Sequence, residues 1–394
     1  MISQECFTNG WITAKSKEYG YPDTNIIEKV IRAFSLLDML AASGCPFHFK
    51  GGSCLMLLLT DQPYRLSIDI DIICPPGTDI EAYLEKFQEY GFIKYESVRR
   101  LQRGTNIPKS HSKFFYDIAY IADCNRSGHI LLDVLNEDCH YQETARVPIV
   151  SPFIRMDGEA GSVMVPSVGD ILGDKLTAFA PNTTGIPYFK GETDCCLEII
   201  KQLYDVGRLF DKISDLKVTS QSFKRIAEVE LSYRNMPNNP GLIFEDIRQT
   251  ALLMATRGKE GHGDIDMLIS GVGRIKSFMF RSNYTLEKAI TDASKAAYVA
   301  TSIEAGNDIP VKYSGIPDDI ADLVIPPILT SRLNKLKRSL PEAYFYGAHT
   351  GMLLQSTHNA IFIYHKPHRY VPLWFYSESG LTEHSYHRFF AIIN

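Results

Sequence analysis

Ile68-Asp69-Ile70-Asp71-Ile72 is the stretch of the chain whose residue types and spacing most directly suggest chemistry. Side chains two apart on a strand share one face, so both carboxylates project to the same side. Held that close they repel unless a cation lies between them, and oxygen ligands at this spacing suit a hard ion such as Mg²⁺ or Mn²⁺. A half-exposed strand with an acidic solvent face fits the same pattern. Just upstream, Gly51-Gly52-Ser53 separates a short strand from a helix. The backbone N–H groups of a glycine turn at a helix N-terminus, with a hydroxyl beside them, cradle phosphate oxygens. An ordinary tight turn uses these residues too, but the two features in sequence bring phosphate and metal together.

Such a site needs a third carboxylate, to complete the metal shell or to take the proton from an attacking hydroxyl. Asp133 is the candidate, because it interrupts the apolar run His129 to Leu135, where a charge requires a partner or a metal. A strand-end carboxylate bonded to backbone amides is the alternative. Arg65 either clamps phosphate with its guanidinium fork or holds the strand edge.

Positioning these groups falls to a recognisable series of elements. Residues 25–43 carry Ile27, Val30, Ile31, Phe34, Leu37 and Ala41 at helical spacing, with Thr24 or Asn25 as N-cap. A strand at 47–50, the glycine turn, a helix to about Thr60 and a strand at 66–73 follow, closed by Pro75-Pro76. Asp79 caps a predicted helix through Tyr90, and strands are expected at 93–98, 114–121 and 129–135. From Ser167, which with Asp170 makes a capping box, helices dominate: 167–179, 194–210, 219–235, 242–257, 264–280 and 285–304. Past Gly306 the chain is richer in Pro, Tyr and His, and the runs 360–364 and 370–376 look like a hairpin. The expected layout is therefore α+β, with domains at 1–165, 166–305 and 306–394, the last a small α/β or β unit.

Four motifs in order carry a family resemblance: Phe49-Lys50-Gly51-Gly52-Ser53-Cys54-Leu55, then Tyr64 through Ile72, then Leu172-Gly173-Asp174-Lys175-Leu176-Thr177-Ala178, then Lys201-Gln202-Leu203-Tyr204-Asp205-Val206. Together they resemble the signature of the AbiEii-type nucleotidyltransferase toxins, within the DNA polymerase β-like superfamily. The resemblance implies a polymerase β-like nucleotidyltransferase domain with a mixed sheet, a following helical domain and a two-metal mechanism. It also implies a nucleoside triphosphate donor, an RNA or tRNA acceptor, and an antitoxin partner in toxin–antitoxin or phage defence. Carried over by position, Ser53, with Gly52 beside it, would contact the triphosphate and Asp69 and Asp71 would hold the metal, with Asp133, read from its own strand, as the third ligand. Lys175 would neutralise a phosphate and Asp205 would orient the nucleotide or that lysine. Many relatives have Arg-Asp where this chain has Lys201-Gln202, and a shorter connection than Pro181 to Gly191, which marks that loop as a lid or clamp. On physical grounds, Lys175 is either a point charge for a β- or γ-phosphate or a solvated lysine. Asp205 alternatively pairs with a neighbouring base such as Arg208. Transfer to a protein or small molecule, or a silent nucleotide- or partner-binding module, are the competing functions.

Composition sets the outer bounds. A chain of 394 residues with 45% hydrophobic and 22% charged residues is globular, and at about 150 residues per domain it holds two or three domains. A net charge of -5 gives no global attraction for nucleic acid, so any polyanion site is a local patch. Apolar stretches such as Cys54 to Leu59 fall far short of the roughly 20 residues of a membrane span, and the N-terminus lacks a signal-peptide layout. A soluble, cytoplasmic protein is expected. Eight cysteines without a CxxC pair suggest reduced thiols and no zinc. The pair His365 and His368 is a poor metal site for want of cysteine partners, whereas Tyr364, Lys366, His368, Arg369, Tyr370 and Trp374 suggest a surface for single-stranded RNA.

Overall fold

The computed structural model describes residues 1–20, 23–59, 65–98, 107–119, 127–279 and 283–364. Tyr64, Cys124 and the aromatic-basic stretch from His365 onward lie outside them, as does the second arm of the expected hairpin.

A seven-stranded mixed sheet forms the first half. Its strands are β1 (His48–Lys50), β2 (Ile70–Cys74), β3 (Lys94–Val98), β4 (Lys109–Asp117), β5 (Ser127–Asn136), β6 (Thr144–Pro148) and β7 (Ser162–Pro166), in the order β3-β4-β5-β2-β1-β7-β6. The pairs β2–β5 and β1–β7 are parallel and the rest antiparallel. Ile70, Ile72, Leu132 and Val134 alternate into the core, which turns the aspartates between them to the other face. Helices α1 (Asn9–Tyr19), α2 (Thr24–Ala42) and α3 (Gly51–Leu58) complete this half. Helix α2 is capped by Asp23, whose carboxylate accepts from the Asn25 amide, one residue before the caps the sequence suggested.

The second half is helical: α4 (Val168–Ala178), α5 (Cys196–Lys212), α6 (Lys217–Tyr233), α7 (Gly241–Ala255), α8 (Ile265–Arg274) and α9 (Leu286–Glu304). The Ser167 cap forms as expected, its hydroxyl accepting from the Asp170 amide. A two-strand ribbon, β8 (Phe189–Lys190) and β9 (Thr193–Asp194), precedes α5. Two short helices, α10 (Asp318–Ala321) and α11 (Leu336–Ser339), lead into α12 (Pro341–Tyr364), which packs against α9.

Several expectations change. The helix predicted from Asp79 to Tyr90 is two single 3₁₀ turns, Ile80–Tyr83 and Phe87–Tyr90, although Asp79 does cap the first. Strand β2 starts at Ile70 rather than Leu66, because the Leu66 amide donates to the Phe278 carbonyl of the helical half. Strands β6 and β7 escaped prediction: β6 is an exposed edge strand without apolar alternation. Among the described residues beyond 306 there are helices and no strand, and the first arm of the expected hairpin, 360–364, is corrected to the end of α12. Its reason is α9, which offers α12 a long buried face to pack against.

Candidate active site

The site is built on one row across four strands. Lys50 stands opposite Asp71, Asp71 opposite Asp133, and Asp133 opposite His111. Neighbouring strands are about 4.8 Å apart, so cation, anion, anion and imidazole follow one another at that spacing on one face. The glycine turn abuts this row. Gly51 has φ +79°, and a Cβ there would fall 2.2 Å from Asp71 Oδ2, so the backbone can approach the carboxylate only without a side chain. At Gly52 a Cβ would meet the Arg65 guanidinium at 2.6 Å. Lys50 at the N-cap of α3 makes no side-chain cap, and the buried Ser53 hydroxyl donates to the Asp69 carbonyl, tying the turn to the entry of β2.

Charge is unevenly compensated along the row. Burial and the Asp71 charge push the Asp69 carboxyl up to about 6, while burial and Asp133 raise Asp71. Asp133 goes the other way: burial acts against its charge, but His111 and Lys109 outweigh it and hold the carboxyl below its usual range. Lys109 Nζ lies 2.7 Å from Asp133 Oδ2, and His111 Nδ1 meets Oδ1. Lys50 pairs with Asp174 of α4 at 3.0 Å, and Tyr141 donates to the same carboxylate at 2.9 Å. Burial works against the Lys50 charge, yet Asp174 keeps its ammonium well above the usual range.

A cleft of about 340 Å³ opens over this row, lined by Lys50, Asp71, Lys109, Asp133 and Asp174. Thr183 to Pro187, from the long loop the sequence marked as a lid or clamp, close the opposite wall. That loop is anchored by Asp246 of α7, which accepts from the Asn182 amide at 2.8 Å and from the Thr183 hydroxyl at 2.8 Å.

Arg65, Lys175 and Asp205 come together beside the glycine turn and not in the lining of this cleft. Arg65 forks Asp205 through Nε at 2.8 Å and a terminal nitrogen at 2.7 Å, and Lys175 Nζ lies 3.0 Å from Asp205 Oδ2 and donates to Gln202 at 2.8 Å. Arg65 and Lys175 are each 5% exposed and Asp205 3%. Although burial opposes its charge, Arg65 and then Lys175 hold the Asp205 carboxyl below its usual range. The two cations expected at phosphate thus face an internal carboxylate, while Arg208, offered as the base for Asp205, pairs instead with Asp292 at 2.7 Å. Lys201, beside Asp69, is pushed down to about 8 by burial and by Arg65, and its ammonium sits 4.0 Å from the Phe278 ring centre.

A divalent ion finds suitable donors here only in part. The raised carboxyls of Asp69 and Asp71 mark negative charge short of compensation, the chemistry of a hard-ion site. Asp133, however, is occupied by two basic side chains, and among the described residues no three His, Cys, Asp or Glu side chains converge as a metal site. Of the three expected carboxylates, Asp133 is the one with close basic partners, Lys109 and His111. Those two residues and Lys50, the basic side chains of the site, were missed as site residues. Their signal was present: Lys109, His111 and Lys113 alternate with period 2, and Lys50 directly precedes the glycines.

Across residues 35–299 the chain matches the family described as nucleotidyl transferase AbiEii toxin, type IV TA system. Two solved structures align with it. JHP933 from Helicobacter pylori is 12% identical with a TM-score of 0.36, over 78% of this chain and 95% of its own. A candidate nucleotidyltransferase from H. pylori is 14% identical with a TM-score of 0.37, over 71% of this chain and 94% of its own. No curated protein matches the chain. Among the described residues no helix is long and apolar enough to cross a membrane.

Proposed function

Because the chain belongs to the AbiEii family of nucleotidyl transferase toxins of type IV toxin–antitoxin systems, we propose that it moves a nucleoside monophosphate from a nucleoside triphosphate to a hydroxyl of RNA, releasing pyrophosphate. The observation that carries this is the row Lys50–Asp71–Asp133–His111 lying against the uncapped, glycine-built N-terminus of α3.

The amides at the start of α3 and the Lys50 ammonium offer positive potential to a triphosphate tail. Asp69 and Asp71 would hold Mg²⁺ or Mn²⁺, which when bound supplies positive charge to the phosphates and lowers the cost of bringing them beside two carboxylates. Asp133, kept ionised by Lys109 and His111, is a poor proton acceptor, and its part is to hold those two basic groups beside the row. The Thr183–Pro187 wall excludes water and limits how the nucleotide sits. Asp205 fixes Arg65 and Lys175, and through them the approach of α4 and α5 to the sheet. A cognate antitoxin, domain boundaries near 165 and 305, and a cytoplasmic location complete the proposal.

Incubating the full chain with α-labelled triphosphates, a divalent ion and total tRNA should transfer label to RNA, and Asp71→Asn should abolish transfer while the protein stays folded. Label on protein or small molecules instead would move the acceptor. Triphosphate binding without any pyrophosphate release would reduce the chain to a silent binding module.

A further inference from the structure

We infer that the open face of β4 and β5 is a track for the 3′ end of a single-stranded RNA, running from a stacking pair at Phe115 and His129 to the Asp71–Asp133 row. The track presupposes the RNA acceptor proposed above. Strands β4 and β5 bury Phe114, Tyr116, Ile130 and Leu132 on one side and leave Lys113, Phe115, His129 and Leu131 half-exposed on the other, the side of Asp133. A phenylalanine on this side sits outside the core that its neighbours Phe114 and Tyr116 fill. Phe115 stands opposite His129 with ring centres 5.7 Å apart, and Lys94 Nζ lies 4.5 Å from the centre of the Phe115 ring.

Cations crowd the same place. Lys113 is two residues from Phe115 toward the acids, and both Lys113 and Lys29 of α2 lie near enough to His129 to add to burial in disfavouring its charged form. The other acids of this face are Glu96, which pairs with Lys94 at 2.7 Å and stands opposite Lys113, and Asp117, two residues past Phe115 at the end away from Asp133. In a chain of net charge -5, such a cluster around an aromatic pair is the local patch a polyanion requires. Rings that accept any base face, flanked by lysines for the backbone, are how single strands are held without sequence readout. A protein partner would favour a broader apolar centre than one ring between lysines. Position adds direction: His129 and Asp133 are four residues apart on β5, about 13 Å, so a strand stacked at Phe115 delivers its end to the acids.

The test uses the full chain and a 5′-fluorescent single-stranded RNA, with binding followed by anisotropy over a range of salt and transfer of labelled nucleotide followed in parallel. Phe115→Ala should weaken binding about tenfold and Phe115→Tyr should retain it. Lys113→Ala should weaken it and lower the slope of log affinity against log salt by about 0.7, which loss of a merely structural lysine would not do. Circular dichroism reports that each variant folds. If the wild type labels RNA and the alanine variants bind it as tightly as wild type, the track is overturned while the proposed reaction stands. If the wild type binds no RNA and labels another acceptor, both fall.

Discussion

With its pKa at about 6, the Asp69 carboxylate is ionised at neutral pH against burial first and against Asp71 second. A carboxyl raised on folding contributes stability that is present below its unfolded pKa near 4 and lost as pH rises through about 6. In a chelator, Asp69→Asn should therefore stabilise the protein at pH 7 by on the order of 2 kcal/mol and leave it nearly unchanged at pH 4, measured by urea unfolding at both values. Equal effects at the two values would show that Asp69 carries no such penalty. The acids themselves were legible at this scale, since period 2 and an apolar surround single out Asp69, Asp71 and Asp133. The partners were not: Arg65 meets Asp205 across 140 positions, a distance no local pattern spans.

Among the elements, the segment entering β2, α4 and α5 are held together by Arg65, Lys175 and Asp205, all three buried. Removing the shared carboxylate leaves two buried cations uncompensated, so Asp205→Ala should cost about 3–5 kcal/mol in denaturant unfolding. Combining Arg65→Met with Asp205→Leu should cost less than the sum of the single changes by about 1–3 kcal/mol. Strict additivity would show that the two residues do not act as a pair. Helices with a continuous apolar stripe were read closely from sequence: 285–304 is Leu286–Glu304, and 194–210 is Cys196–Lys212. Strand β6 was not, because an exposed edge strand needs no apolar alternation and leaves none to read. In the 3₁₀ segment, the Asp79 cap was legible, but how far the helix would propagate was not.

Among the described residues one hydrophobic cluster runs from Ile2 through the sheet and α4–α9 to Ala348. Polar ties cross the same boundary: Lys50 to Asp174, Arg65 to Asp205, and the Tyr233 hydroxyl to Glu137. The sheet half therefore lacks both its apolar cover and its counter-charges when separated. Calorimetry of the full chain should give one cooperative transition, and a fragment of residues 1–165 should give none. Two resolved transitions, or a fragment that folds, would mean that the halves are independent.

The sequence by itself determined the α+β class, most helices, the family motifs and the three acids, because periodicity, caps and residue type are local properties. Only the tertiary structure decided that Lys109 and His111 claim Asp133, that Arg65 and Lys175 turn inward to Asp205, and that Lys50 joins the row. Strand register and helix packing bring together charges far apart in the chain, and a buried charge takes whichever counter-charge the fold places against it.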